Sequence, residues 1–206
     1  MRADPGTVEQ RFEKALENAE MFFQKAGKVH RAALAIARRL DAANIPYAIA
    51  GAMALGAHGY ERVTIDVDVL LTRDGLARFK SAHLGRGYVE KFPGSKGVRD
   101  TENGVSIDVL IAGEFPGDGL PKPVAFPDPT HVAVEGERFR ILSLPNLVEI
   151  KLASGMTAPH RLKDLADVLE LVRTAKLPAE LAASLNPYVR AKYLELWRAA
   201  QVEDPE

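Results

Sequence analysis

Ile49-Ala50-Gly51-Ala52-Met53-Ala54, then Ile65-Asp66-Val67-Asp68-Val69-Leu70-Leu71, then Ser106-Ile107-Asp108-Val109-Leu110-Ile111 are the stretches on which the reading of this chain turns. The last two set aspartates into runs of valine, isoleucine and leucine, a composition that favours strands. Side chains alternate faces along a strand, so Asp66 and Asp68 point one way while Val67, Val69 and Leu71 point into the core. In the strand from 105 to 111 the same alternation buries Val105, Ile107, Val109 and Ile111 and leaves Asp108 on the opposite face. If the two strands pair side by side, three carboxylates converge.

Like charges so close repel, and a divalent cation between them removes that penalty. Mg²⁺, with Mn²⁺ as the alternative, suits such a site because it takes oxygen ligands and is completed by water and substrate phosphates. Three carboxylates can clamp two ions about 3.5 to 4 Å apart for an in-line displacement at phosphorus. Asp66, Asp68 and Asp108 are thus the candidate catalytic residues and metal ligands, with Asp108 also placed to accept the proton of an attacking hydroxyl. Gly51, between a strand and a short helix, lets backbone approach a phosphate closely, and the helix start offers unpaired N–H groups. A lone Asp-x-Asp is a weak signal. The order of glycine turn, short helix, Asp-x-Asp strand and a third aspartate on a later apolar strand is far more specific.

Composition bounds the rest. The chain has 206 residues, 47% of them hydrophobic, enough for one substantial core or a core with a helical annex. Lys plus Arg number 27 and Asp plus Glu 28, so the overall field does not point to nonspecific nucleic-acid binding, and a polyanionic ligand needs a local patch. The absence of cysteine excludes disulfides, thiolate chemistry and zinc-thiolate sites, and is compatible with a cytoplasmic protein. No run approaches a membrane span, so a soluble protein with no membrane partner is expected.

Along the chain, Thr7-Val-Glu-Gln10 reads as a capping box opening a helix from about 7 to 25, and a second helix follows Gly27 until Asn44-Ile-Pro46 stops it. A strand over 47–50, a short helix over 52–57, a strand over 64–71, a helix over 75–82 and strands over 87–91, 97–101 and 105–111 come next. Residues 113–129 hold five prolines and three glycines and read as an irregular loop or flap, either functional or a plain insertion. A hairpin around Glu135 and helices from Pro145 onward complete an α+β pattern, divided as N-terminal helices over 1–45, a core over 46–143 and a C-terminal helical region over 144–206. Gly94-Ser-Lys96-Gly97 lacks the P-loop pattern and reads as a hairpin turn. The five histidines show no metal-ligand spacing, and only His58, near Gly51, is of interest.

From Ala50 through Asp68 the residues resemble the nucleotidyltransferase fold of the DNA polymerase beta superfamily, and within it the bacterial group that includes the AbiEii-like toxins of type IV toxin-antitoxin systems. The resemblance spans roughly 30–173 and implies a small mixed sheet flanked by helices. It also implies transfer of a nucleoside monophosphate from an NTP such as ATP to a hydroxyl on a tRNA or protein, with release of pyrophosphate and a cognate antitoxin as partner. Carried over, Asp66, Asp68 and Asp108 hold metal, and Gly51 lies under the phosphates. The residue after that glycine is commonly glycine or serine, but here it is Ala52, which keeps a backbone donor and loses a hydroxyl. Leu147 to Ser154 resembles the group's lysine-bearing helix, and His160 to Asp167 its Lys-Asp-x-x-Asp helix, so Lys151 and Lys163 are nucleotide-binding candidates.

In the second of these helices Leu162, Leu165, Ala166 and Leu169 form the expected buried stripe, with Lys163 and Asp167 as an i, i+4 pair on another face. Arg62, just before the Asp-x-Asp strand, is a candidate for phosphate or for a structural ion pair. Two other readings compete. Ala52 motivates a noncatalytic protein of the same fold that binds a nucleotide or a partner. A sugar-nucleotide glycosyltransferase also uses Asp-x-Asp, but normally has a nucleotide-binding α/β half before it, and only a helical segment and one short strand precede it here.

Overall fold

The computed structural model of the protein describes residues 27–136 and 138–202, so the helix expected over 7–25 lies outside the described residues. The described part of helix α1 covers 27–42 and buries Val29, Ala33, Ile36 and Leu40. Asn44, with φ at 50°, and Pro46 then turn the chain into β1 (Tyr47–Ile49). Gly51, with φ at 59°, opens α2 (Gly51–Ala57). β2 (Asp66–Leu71) leads into α3 (Arg73–His83), whose cap Thr72 accepts from the Gly75 N–H at 3.0 Å.

β3 (Tyr88–Glu90), β4 (Val98–Asp100) and β5 (Val105–Ile111) follow, and after the loop come a turn of helix α4 (Pro129–Val132), β6 (Ala133–Glu135) and β7 (Arg140–Leu142). The C-terminal part holds α5 (Leu144–Thr157), α6 (Leu162–Thr174), a 3-10 segment over Ala179–Ser184 and α7 (Pro187–Ala200).

The strands form one mixed sheet in the order β3-β4-β5-β2-β1-β7-β6. β2 is central, antiparallel to β1 and parallel to β5, and its register sets Asp66 opposite Ser106 and Asp68 opposite Asp108. The sheet separates two apolar clusters. One joins α1 and α3 to Val67, Val69 and Leu71, and the other joins α2 and α5 to α7 to Leu70 and Leu142. Cover on both faces explains why Leu70 and Leu71 are both fully buried although they point opposite ways. α5 is buried nearly all round through Leu147, Val148, Leu152 and Ala153, and it carries Lys151 into that interior.

The α6 stripe differs from the sequence expectation. Leu162 is 63% exposed and Ala166 is exposed, whereas Asp164, Asp167, Val168, Leu171 and Val172 are buried. The helix is rotated so that its two aspartates meet Lys151 of α5, a charge whose burial requires partners. Among the described residues no helix is long and apolar enough to cross a membrane.

Candidate active site

The β2 and β5 register places Asp66, Asp68 and Asp108 on one face, and all three line a single pocket of about 270 Å³. Gly51 lies against the deepest of them: a Cβ there would stand 1.8 Å from Asp68 Oδ2, so only glycine lets the β1–α2 turn close over the carboxylate. The Ala50 N–H donates to the Asp68 carbonyl at 2.8 Å and ties the turn to β2. Asp66 accepts from the Thr64 hydroxyl. Burial, and then the charges of Asp66 and Asp108, push the Asp68 carboxyl up to about 6, against weaker lowering by Lys151 and Arg161. Asp108 is 42% exposed and accepts from Lys91 Nζ at 2.7 Å.

Among the described residues, no three histidine or carboxylate side chains are gathered into a metal cage. The aspartates share a face and a pocket. Their chemistry still fits a hard cation: the donors are all carboxylate oxygens, Asp68 is under like-charge repulsion, and Asp108 already accommodates one positive charge. Mg²⁺ or Mn²⁺ would be held by Asp66, Asp68 and Asp108.

A further part of the wall comes from the α5–α6 junction, where His160, Arg161 and Lys163 line the pocket. Lys163 is exposed and forms no ion pair among the described residues, so the expected pairing with Asp167 is absent. Asp167 instead binds Lys151 Nζ at 2.6 Å and lies 2.9 Å from Arg62 Nε. Lys151 also binds Asp164 at 3.0 Å, and Asp164 in turn accepts from the Ser154 hydroxyl at 2.6 Å and from Arg161 Nε at 2.9 Å. Burial alone would raise the Asp164 carboxyl, but Lys151, Ser154 and Arg161 together hold it below the usual carboxylate range.

Lys151 and Arg62 line the pocket and are committed to these aspartates, which makes the ion-pair reading of Arg62 the observed one. Ala52 lies outside this lining, on a separate groove with Met53 and Val63. His58 bonds the Leu142 carbonyl at 2.8 Å and serves the packing of α2 on β7.

Leu110, Leu142, Leu147 and Ile150 make an apolar side, completed by Pro116 and Phe126 from the proline-rich loop. The loop is closed at its neck by two 2.8 Å backbone bonds, Gly113 N–H to the Phe126 carbonyl and Phe126 N–H to the Glu114 carbonyl. Sequence reasoning missed Lys91, Arg161 and Phe126 as residues of the site. Only Arg161, beside Lys163 in the quoted motif, carried a local signal.

No protein-family model matches the chain, and no curated protein matches it. Among solved structures, the antibiotic-resistance factor ANT(2'')-Ia is similar at a TM-score of 0.51 and 16% identity, over 86% of this chain and 97% of that one. The chain has the nucleotidyltransferase fold. A candidate nucleotidyltransferase from H. pylori is similar at a TM-score of 0.47 and 18% identity, over 88% and 94% of the two chains. A second ANT(2'')-Ia structure, in complex with adenylyl-2''-tobramycin, is similar at 0.44 and 14%, over 79% and 92%. Within the nucleotidyltransferase fold of this chain, the sheet supplies the acidic floor and the C-terminal helices the basic wall.

Proposed function

We propose that this protein is a metal-dependent nucleotidyltransferase that moves a nucleoside monophosphate from an NTP to a hydroxyl of a macromolecular acceptor, a tRNA or a protein, in the manner of a toxin held in check by an antitoxin. The observation that carries the transferase reading is the pairing of Asp68 with Asp108 across parallel strands, beneath Gly51 and facing Arg161 and Lys163 in one pocket. The toxin and acceptor parts rest on the resemblance of residues 50–68 and 147–167.

Arg161 and Lys163 meet the negative charge of the triphosphate, and Phe126 and Leu110 offer the base an apolar surface. The acceptor oxygen attacks the α-phosphorus, its proton passes to the Asp108 carboxylate, the α–β phosphoanhydride bond breaks and pyrophosphate leaves. Bound Mg²⁺ or Mn²⁺ would supply neutralisation of the phosphate oxygens. Lys151 is a positioning residue, because it fixes Asp164 and through it Arg161.

The test is incorporation of α-labelled nucleotide from each of the four NTPs, with Mg²⁺ or Mn²⁺, into total RNA, total protein or tobramycin. Label in RNA or protein, reduced at least about 100-fold in Asp66→Ala and in Asp68→Ala, is the expected outcome. Label in tobramycin alone would replace the macromolecular acceptor with a small one. Nucleotide binding by calorimetry with no incorporation anywhere would assign the noncatalytic reading.

A further inference from the structure

One cation already sits on the third aspartate, and it belongs to the chain. Lys91 Nζ donates to Asp108 Oδ1 at 2.7 Å, with the lysine side chain 31% exposed. Local features build this contact. Lys91 follows β3, and its backbone N–H donates to the Gly97 carbonyl at 3.2 Å, closing the base of the β3–β4 turn. The lysine stem then crosses Gly97, where a Cβ would stand 2.7 Å from Lys91 Cδ, 3.0 Å from the Ile107 carbonyl and 3.2 Å from Asp108 Oδ1. A side chain at 97 would close that path. Lys96 in the same turn is bound to Glu114 instead, so the two lysines of the turn serve different carboxylates.

We infer that Lys91 is an internal counter-ion that competes with the divalent cation for Asp108, an inference that rests on the metal-dependent reading of the site. With the ammonium on Asp108, Asp68 faces one carboxylate that is compensated and one, Asp66, that is not. A metal ion taking an oxygen of Asp108 would stand beside the ammonium, and the two positive charges repel. The part-exposed lysine then swings into solvent. Lys91 is thus a positioning residue that sets the cation concentration at which the site fills, and it keeps Asp108 paired until then.

The experiment is Mn²⁺ binding to the full-length protein, without nucleotide and at one fixed pH, followed by electron paramagnetic resonance of the free ion. Lys91→Met should tighten Mn²⁺ by up to about five-fold, the range an exposed ion pair supports. Lys91→Arg should stay near wild type, Lys96→Met should have a smaller effect than Lys91→Met, and the Lys91→Met effect should vanish in the Asp108→Asn background. Thermal unfolding identifies folded variants, and Lys91→Gln replaces Lys91→Met if the latter does not fold.

Equal effects of Lys91→Met and Lys96→Met, or persistence of the effect without Asp108, overturn the inference, because the general field rather than the contact is then responsible. Unchanged affinity in Lys91→Met, with Mn²⁺ still bound by wild type, overturns it while leaving the metal-dependent function standing. Failure of every folded variant to bind Mn²⁺ overturns both.

Discussion

Two groups of aspartates, one lining the pocket from the sheet and one at the α5–α6 junction with only Asp164 in its lining, differ in how their charge is met. Asp164 and Asp167 are buried, and among the described residues they are met by Lys151, Arg62, Arg161 and the Ser154 hydroxyl. Asp66, Asp68 and Asp108 share one part-exposed face with, among the described residues, a single ion pair, from Lys91. The buried pair therefore reads as architecture and the sheet trio as a place where charge is still wanted. Asp-x-x-Asp and Asp-x-Asp look alike as motifs; neighbours decide which one is a site.

Removing Lys151 should break this contrast most strongly. Lys151→Met leaves two buried carboxylates with the arginines and the Ser154 hydroxyl, and should lower stability by about 3 kcal/mol, the lower end for a broken buried pair because Arg62 and Arg161 remain. Chemical denaturation measures it, and a loss comparable to that of a surface lysine would show that the network is not structural.

Asp68→Asn should act in the opposite direction. The Asp68 carboxyl, raised to about 6, binds its proton more tightly in the folded protein than in the unfolded chain. Folding takes up that proton between about pH 4 and 6, so stability falls as pH rises through this window and the full penalty stands above it. The variant should stabilise the metal-free protein by about 2 kcal/mol above pH 6, discounted for the opening of the pocket to solvent, and by little below pH 4. Thermal unfolding across that range checks both limits.

Asp164, held low by its partners, has the reverse sign: its contribution is present above the ordinary carboxylate range and is lost on acidification. The smallest stability effect belongs to Lys163→Ala, within about 0.5 kcal/mol because the residue is exposed and unpaired among the described residues. Its expected mark is a raised KM for NTP, read by steady-state kinetics, and an unaltered KM would remove Lys163 from the triphosphate wall.

How far the molecule could be read from its sequence follows the range of each signal. The alternation of Val67, Asp68 and Val69, and of Ile107, Asp108 and Val109, is a local property, and the strands formed with the aspartates on one face. The Pro and Gly content of 113–129 marked a loop but not its role, because Phe126 and Pro116 become pocket wall only through packing against α5 and β5.

The α6 stripe was misread because its leucines suggest one buried face while its aspartates have partners elsewhere in the chain, on α5 and before β2. No pattern within α6 reports that Lys151 is buried. Lys91 was invisible for the same reason, since a hairpin lysine reveals its aspartate only after β4 has been laid beside β5.

The β2–β5 register also has a kinetic consequence. Asp68 and Asp108 are about 40 positions apart, and parallel pairing over such a separation waits on closure of a long crossover, here containing α3, β3 and β4. A nascent or partly unfolded chain carries the Asp66 and Asp68 pair without its third member. The capacity to set all three carboxylates on one face therefore arrives only with a non-local pairing, and a chain that has not finished folding lacks the complete site.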